Sequence, residues 1–201
     1  MEQSRTSSHD GPGPIVRRRE VTVFSNTYGD LYYDEVLSPS GAPGRHLRWK
    51  SANDGVVVIP RWGRRVALIP VYRYAVDRVS LEFPRGMCLT GEPPATAAAR
   101  ELLEETGLRA SALHLLGSIH SDTGLVDDRV DVLVADTDPR TAVATRREAL
   151  ESIASTEWHR VEDLADILSA GAVSCGLTLA ALTLLNVDTR PRSTRAAGRA
   201  A

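Results

Sequence analysis

Residues 94–106 constrain this chain more than any other stretch. Pro94 suits the first turn of a helix, where its missing N–H would be unpaired in any case. The alanines and leucines that follow are strong helix formers, and Gly107 can adopt the left-handed conformation that closes a helix. Together they predict one helix over 94–106 with a defined start and stop. At about 100° per residue, Glu104 falls about 60° to one side of Glu101 and Glu105 about 40° to the other, so all three share one stripe. Ala95, Ala99, Leu102 and Leu103 fall on the opposite side, which is the face expected to bury.

Three carboxylates at i, i+3 and i+4 repel one another by a few tenths of a kcal/mol per pair. Such a cluster asks for a cation. Several oxygen donors and nothing softer describe a hard divalent ion such as Mg2+, which is usually met alongside phosphates. Arg100 flanks the cluster and is placed to hold its carboxylates by charge-assisted bonds. A bare acidic stripe is more often a solvated helix face, so the flanking residues decide.

Those residues are Gly86, Glu92, Arg100, Glu101, Leu102, Glu104, Glu105, Gly107 and Leu108. They fill every fixed position of the pattern G-x5-E-x7-R-E-U-x-E-E-x-G-U, with U aliphatic. Seven non-aliphatic matches coincide by chance about once in 10^8 windows, which excludes accident. The chain resembles a Nudix hydrolase. The resemblance implies an α/β fold: an α/β/α sandwich around a mixed sheet.

The remainder of the chain agrees with that class. Its 201 residues suit one main domain with a small appendage. A net charge of −2 supplies no basic field for nucleic acid, and Lys50 is the sole lysine. No helix-turn-helix pattern is evident. Cys88 and Cys175 lack metal-ligand spacing and read as reduced thiols of a cytoplasmic protein. No apolar run approaches the ~18 residues needed to span a bilayer, and the first residues carry no secretory h-region.

Residues 1–13 read as a disordered tail, 14–54 as a small antiparallel β subdomain, 55–187 as the main domain, and 188–201 as a second disordered tail. In the subdomain, 20–24, 31–36 and 46–50 carry strand patterns around a turn cluster at 38–44. The runs 56–59 and 66–72 are near-continuously apolar, as in strands buried on both faces. Further strands are expected at 113–119, 130–135 and 152–161, with 120–129 as a loop, and helices at 161–168 and 177–185. His114, His120 and His159 have no partner spacing and read as structural; Asp127-Asp128 reads as a turn.

Features outside the box resemble the ADP-ribose pyrophosphatase group of Nudix hydrolases. Leu81-Glu82-Phe83-Pro84-Arg85-Gly86 resembles that group's L-E-x-P-x-G lead-in, and Tyr72-Arg73 its substrate-facing Tyr-Arg. Where the group carries a Pro-Gly turn, this chain has Asp122-Thr123-Gly124, which leaves open both ADP-ribose and other nucleoside diphosphate sugars. By resemblance, the metal ligands are Glu101, Glu104, Glu105 and the backbone carbonyl of Arg85, with Mg2+ as cofactor and Mn2+ as a substitute. Arg73 and Glu82 become candidate contacts to the nucleotide. Trp49, independently of the resemblance, offers an aromatic face that could stack a base, although such a tryptophan more often packs a hairpin. Glu104 and Arg100 join the catalytic set. The general base is implied in the loop before the last strand, where Glu148 and Glu151 both stand and Glu151 is the better match. The expected reaction cleaves a pyrophosphate linkage to a nucleoside monophosphate and a sugar phosphate. The resemblance also implies a homodimer. Alternatives are a nucleoside triphosphate pyrophosphohydrolase and a non-catalytic nucleotide-sensing module.

Overall fold

The computed structural model describes residues 13–146 and 150–188. The expectations for the two tails therefore lie outside the described residues, apart from Gly13 and Asp188, as does Glu148. The chain forms two compact units. One runs to Ala52 and takes in Asp122–Asp127; the other comprises Asn53–Ser121 and the chain from Asp128 onward.

The first unit is a five-stranded sheet of β1 (Val16–Arg19), β2 (Thr22–Asn26), β3 (Gly29–Leu37), β4 (Pro43–Ser51) and β10 (Val126–Asp127). β3 and β4 pair antiparallel along their whole length, from Gly29–Ser51 to Leu37–Pro43. The turn between them closes where the Ser38 N–H donates to the Ala42 carbonyl at 2.8 Å. Asp34 is buried in this sheet and accepts from Arg48 Nε and the Val21 N–H, while the Arg48 guanidinium lies 4.2 Å over the Tyr32 ring. β10 corrects the expectation of a plain loop at 120–129: Val126 and Asp127 pair parallel with Trp49 and Lys50. Two residues give no periodicity to read, so only tertiary pairing reveals this strand.

The second unit is the expected sandwich. Its mixed sheet runs β12 (Glu157–Arg160), β6 (Arg65–Arg73), β5 (Gly55–Trp62), β11 (Val130–Thr137), β9 (Ala110–Ile119), with β7 (Arg78–Glu82) on β6 and β8 (Arg85–Met87) on β5. β5 and β11 are parallel and the other pairs antiparallel. Alternate residues of the buried runs feed two cores. Val57, Ile59, Val66, Leu68 and Val132 pack with Leu182 and Leu185 of α3 (Gly176–Val187) and with Leu164 of α2 (Leu164–Ser169). Val56, Val58, Ala67 and Leu133 pack with Ala97, Ala98 and Leu102 of α1 (Pro94–Thr106). Each such valine, leucine or isoleucine contributes about 1.5–3 kcal/mol on burial. The strand expected at 152–161 is shorter: only 157–160 form it, with Ile153 making an isolated bridge to Val71. No helix among the described residues is long and apolar enough to cross a membrane.

The helix α1 starts and stops where its sequence places it. Pro94 occupies the first turn, and Gly107, at φ 71°, sends its N–H to the Leu103 carbonyl. Its buried face is a different matter. Ala97, Ala98, Glu101, Leu102, Glu105 and Thr106 are buried, whereas Ala95 is exposed and Leu103 only half-buried. The expectation that the carboxylates face away from the core is thus overturned: two of the three lie on the face that packs against the sheet.

Candidate active site

The site is assembled where α1 meets the β7–β8 corner. β8 pairs Arg85 with Val57 and Gly86 with Val56, which fixes its backbone beside the helix. Pro84 donates nothing there, but its carbonyl accepts the Val58 N–H at 2.8 Å and continues the ladder. The Arg85 N–H then donates to Glu105 Oε2 at 3.2 Å. At Gly86 a Cβ would overlap the Glu101 carboxylate, so the glycine leaves the space that the acid occupies.

Arg100 ties the acidic residues together. Its guanidinium donates to Glu92 at 2.9 and 3.1 Å, to Glu101 at 2.7 Å, to Glu104 at 3.2 Å and to the Met87 carbonyl at 3.0 Å. Glu92 also accepts the Leu89 N–H at 2.9 Å. These bonds from Arg100 hold the Glu92 carboxyl below its usual range. The two buried acids shift the other way. Burial pushes Glu101 up against the pull of Arg100. Burial, with added repulsion from Glu101 and Glu151, pushes the Glu105 carboxyl up to about 8. A raised carboxyl pKa measures how much that place resists negative charge.

Among the described residues, no three His, Cys, Asp or Glu side chains stand close enough, as placed, to grip one ion. Glu104, for one, turns to Arg100. The donor set nevertheless fits a hard divalent ion, being all oxygen, partly buried and charged beyond what its surroundings favour. Glu101, Glu104, Glu105 and the Arg85 carbonyl are the residues that would hold it.

The remaining sequence-derived candidates divide. Glu151 adds to the negative potential at both Glu105 and Glu101. Its segment is pinned to β6: Ser152 accepts the Tyr72 N–H at 3.0 Å, and the Ala154 N–H donates to Pro70 at 2.9 Å. Arg73, at the end of β6, forms a bidentate pair with Glu82, whose side chain is 1% exposed. Trp49 lies half-buried on β4, in the other compact unit. Sequence reasoning considered only the backbone of Arg85 and missed its guanidinium, which also reaches Glu82, at 3.1 Å. An arginine three residues after the acid of the Leu81–Gly86 lead-in was the available signal.

Residues 52–174 match the NUDIX domain. The chain is 29% identical over 114 residues to a Bacillus subtilis protein named ADP-ribose pyrophosphatase, an alignment covering 57% of this chain and 62% of that one. It thus spans less than two thirds of that relative's length. A Mycobacterium tuberculosis ADP-ribose pyrophosphatase is 29% identical over 182 residues, 86% of each chain. A Streptomyces rubellomurinus CMP-5'-(N-acetyl-N-hydroxy-3-aminopropyl)phosphonate hydrolase is 26% identical over 171 residues, covering 85% of this chain and 82% of that one. A crystal structure of an ADP compounds hydrolase shares the fold at a TM-score of 0.76 and 18% identity, covering 88% of this chain and 94% of that one.

Proposed function

This chain belongs to the NUDIX domain family, and from that premise we propose that it hydrolyses the pyrophosphate linkage of a nucleoside diphosphate sugar, ADP-ribose or a related compound, with Mg2+ as cofactor. The products would be a nucleoside monophosphate and a sugar phosphate. The observation that carries this reading is the pair of buried helix carboxylates, Glu101 and Glu105, set against the backbone of Gly86 and Arg85. The names of the Bacillus subtilis and Mycobacterium tuberculosis relatives support the substrate class. The CMP derivative named for the Streptomyces rubellomurinus relative makes the base the first variable to test.

Bound divalent metal would lower the pKa of an attacking water and offset phosphate charge. The chain's own residues do the rest. Arg100 orients the Glu101 and Glu104 carboxylates that would otherwise repel each other. Glu151, on its pinned segment, is the group assigned to take a proton from water. Arg73, gripped by Glu82, presents a fixed guanidinium to the nucleotide.

A panel of nucleoside diphosphate sugars and nucleoside triphosphates, incubated with Mg2+ and with excess EDTA, tests the reading. Metal-dependent release of a nucleoside monophosphate, identified by mass, is expected. Preferential cleavage of triphosphates would replace the substrate class, and full activity in EDTA would remove the metal.

The assembly we propose is a homodimer. On one face of the N-terminal sheet, register aligns Val16 with Leu37, Phe24 with Leu31, and Tyr33 with Leu47. Val16, Phe24, Tyr33 and Leu47 are about half exposed, and the Arg19–Glu35–Arg45 ion cluster lies among them on the same face, a mixed apolar and charged surface for a second copy of the chain to cover. A monomer by light scattering at micromolar concentration, with intact activity, would end this proposal. The free thiols Cys88 and Cys175 suit a reducing, cytoplasmic setting.

A further inference from the structure

The Glu82 carboxylate is buried and carries two guanidiniums. Arg73 satisfies it: Nε lies 3.1 and 3.2 Å from the two oxygens and Nη2 lies 2.7 Å from Oε2. One such bidentate pair balances one carboxylate. Arg85 Nη2 stands 3.1 Å from the same Oε2 and brings a second positive charge to it. The other arm of Arg85, Nη1, donates to Cys175 Sγ at 3.3 Å. A thiol sulfur is a weak acceptor, so this N–H is easily given up to a stronger one. Arg85 is also rooted in the proposed catalytic centre, because its backbone N–H is bonded to Glu105 and its neighbour Gly86 faces Glu101. Its side chain remains 24% exposed. The Arg85 guanidinium is beyond what Glu82 requires, has a weakly held N–H, and stands next to carboxylates assigned to pyrophosphate chemistry.

We propose that the Arg85 guanidinium is a substrate-anchoring group that binds a phosphoryl oxygen, exchanging the Cys175 thiol for it while Arg73 keeps Glu82 paired. The assignment rests on the pyrophosphohydrolase reading and adds to it a specificity determinant for the phosphate part of the substrate. Arg73 is the less suitable anchor, since moving it would strip a buried carboxylate of its bidentate partner. Arg85→Met leaves that pair intact and should fold.

Calorimetric titration in EDTA separates anchoring from catalysis. The probes are inorganic pyrophosphate, ADP and adenosine, each with wild type, Arg85→Met and Arg85→Lys. Arg85→Met should bind pyrophosphate and ADP roughly tenfold to a hundredfold more weakly, the span of a lost charge-assisted bond, and adenosine as wild type does. Arg85→Lys should fall between, keeping the charge without the fork. Unchanged pyrophosphate and ADP affinity in Arg85→Met overturns the proposal. So does an equal loss for adenosine, which would mark a structural role, and so does a wild type that binds no pyrophosphate. Turnover of nucleoside diphosphate sugars distinguishes the two readings. A wild type that cleaves none of them yet holds pyrophosphate through Arg85 removes the substrate class and keeps the anchor. One that cleaves them with KM unchanged in Arg85→Met keeps the substrate class and removes the anchor.

Discussion

The Glu101 carboxylate occupies the space that a side chain at Gly86 would fill. Gly86 is half-buried on β8, Glu101 is buried on α1, and Arg100 holds the acid in place from 2.7 Å. The first glycine of the motif therefore leaves room for an acid fifteen positions later in the chain.

Gly86→Ala should accordingly spare the fold and spoil the site. The clash falls on the far end of a side chain, which can swing aside, and not on backbone. Thermal unfolding should change little, while turnover falls by about 10^2-fold or more, given how steeply catalysis depends on placement. Wild-type turnover in a folded Gly86→Ala protein would show that Glu101 need not sit where it does.

Arg100→Met should destabilise the protein itself. Glu92 and Glu101, whose side chains are each 10% exposed, lose their guanidinium, and the Met87 carbonyl loses a donor. Stranding buried carboxylates in this way costs about 2–4 kcal/mol. A double-mutant cycle with Glu92→Gln, read by urea denaturation, should give a coupling of about 1–2 kcal/mol. Independent, additive effects would contradict the shared network.

Glu105 gives a pH dependence whose sign follows from its burial. Its carboxyl is pushed up to about 8 from the ordinary 4.5. Between those values the folded, metal-free protein keeps a proton that the unfolded chain releases. Stability from this group is complete below the lower value and is lost as pH rises through the upper one. Glu105→Gln cannot titrate, so its advantage over wild type in EDTA should grow across that window to the order of a few kcal/mol. Urea midpoints measured from pH 5 to 9 check this. A constant difference between the two proteins would show that Glu105 titrates normally.

Much of this was legible in the chain, for identifiable reasons. Pro94 and Gly107 bounded α1 because each acts through its own backbone. The runs at 56–59 and 66–72 announced strands covered on both sides, and β5 and β6 are such strands. The orientation of α1 was misread because helical amphipathicity assumes that charge seeks water, and a metal-type site inverts that rule at Glu101 and Glu105. β8 escaped because three residues, Arg85–Met87, carry no period. The same holds for Val126–Asp127, whose placement in the N-terminal unit depends on pairing with Trp49 and Lys50.

The general base is the last prediction. Glu151 was one of two acids in its loop, and Glu148 lies outside the described residues. The backbone of Ser152–Ala154 is held to β6 by the two hydrogen bonds that make the Ile153–Val71 bridge, so the residue before it, Glu151, is anchored beside the sheet. From there its charge is felt at Glu105 and Glu101, on the helix assigned to the metal. A carboxylate on a separate element from the metal helix can accept a proton from a water without being tied up by the ion. Glu151→Gln should therefore lower kcat by roughly 10^2–10^4-fold, the span of general acid–base catalysis. Binding of Mn2+ and of product nucleotide should change far less than kcat, because neither needs the proton acceptor. Removing one negative charge should also ease the ionisation of Glu105, shifting the acidic limb of any residual activity to lower pH. Wild-type turnover in Glu151→Gln would transfer the role to Glu148, and loss of metal affinity in step with kcat would make Glu151 a ligand instead of a base.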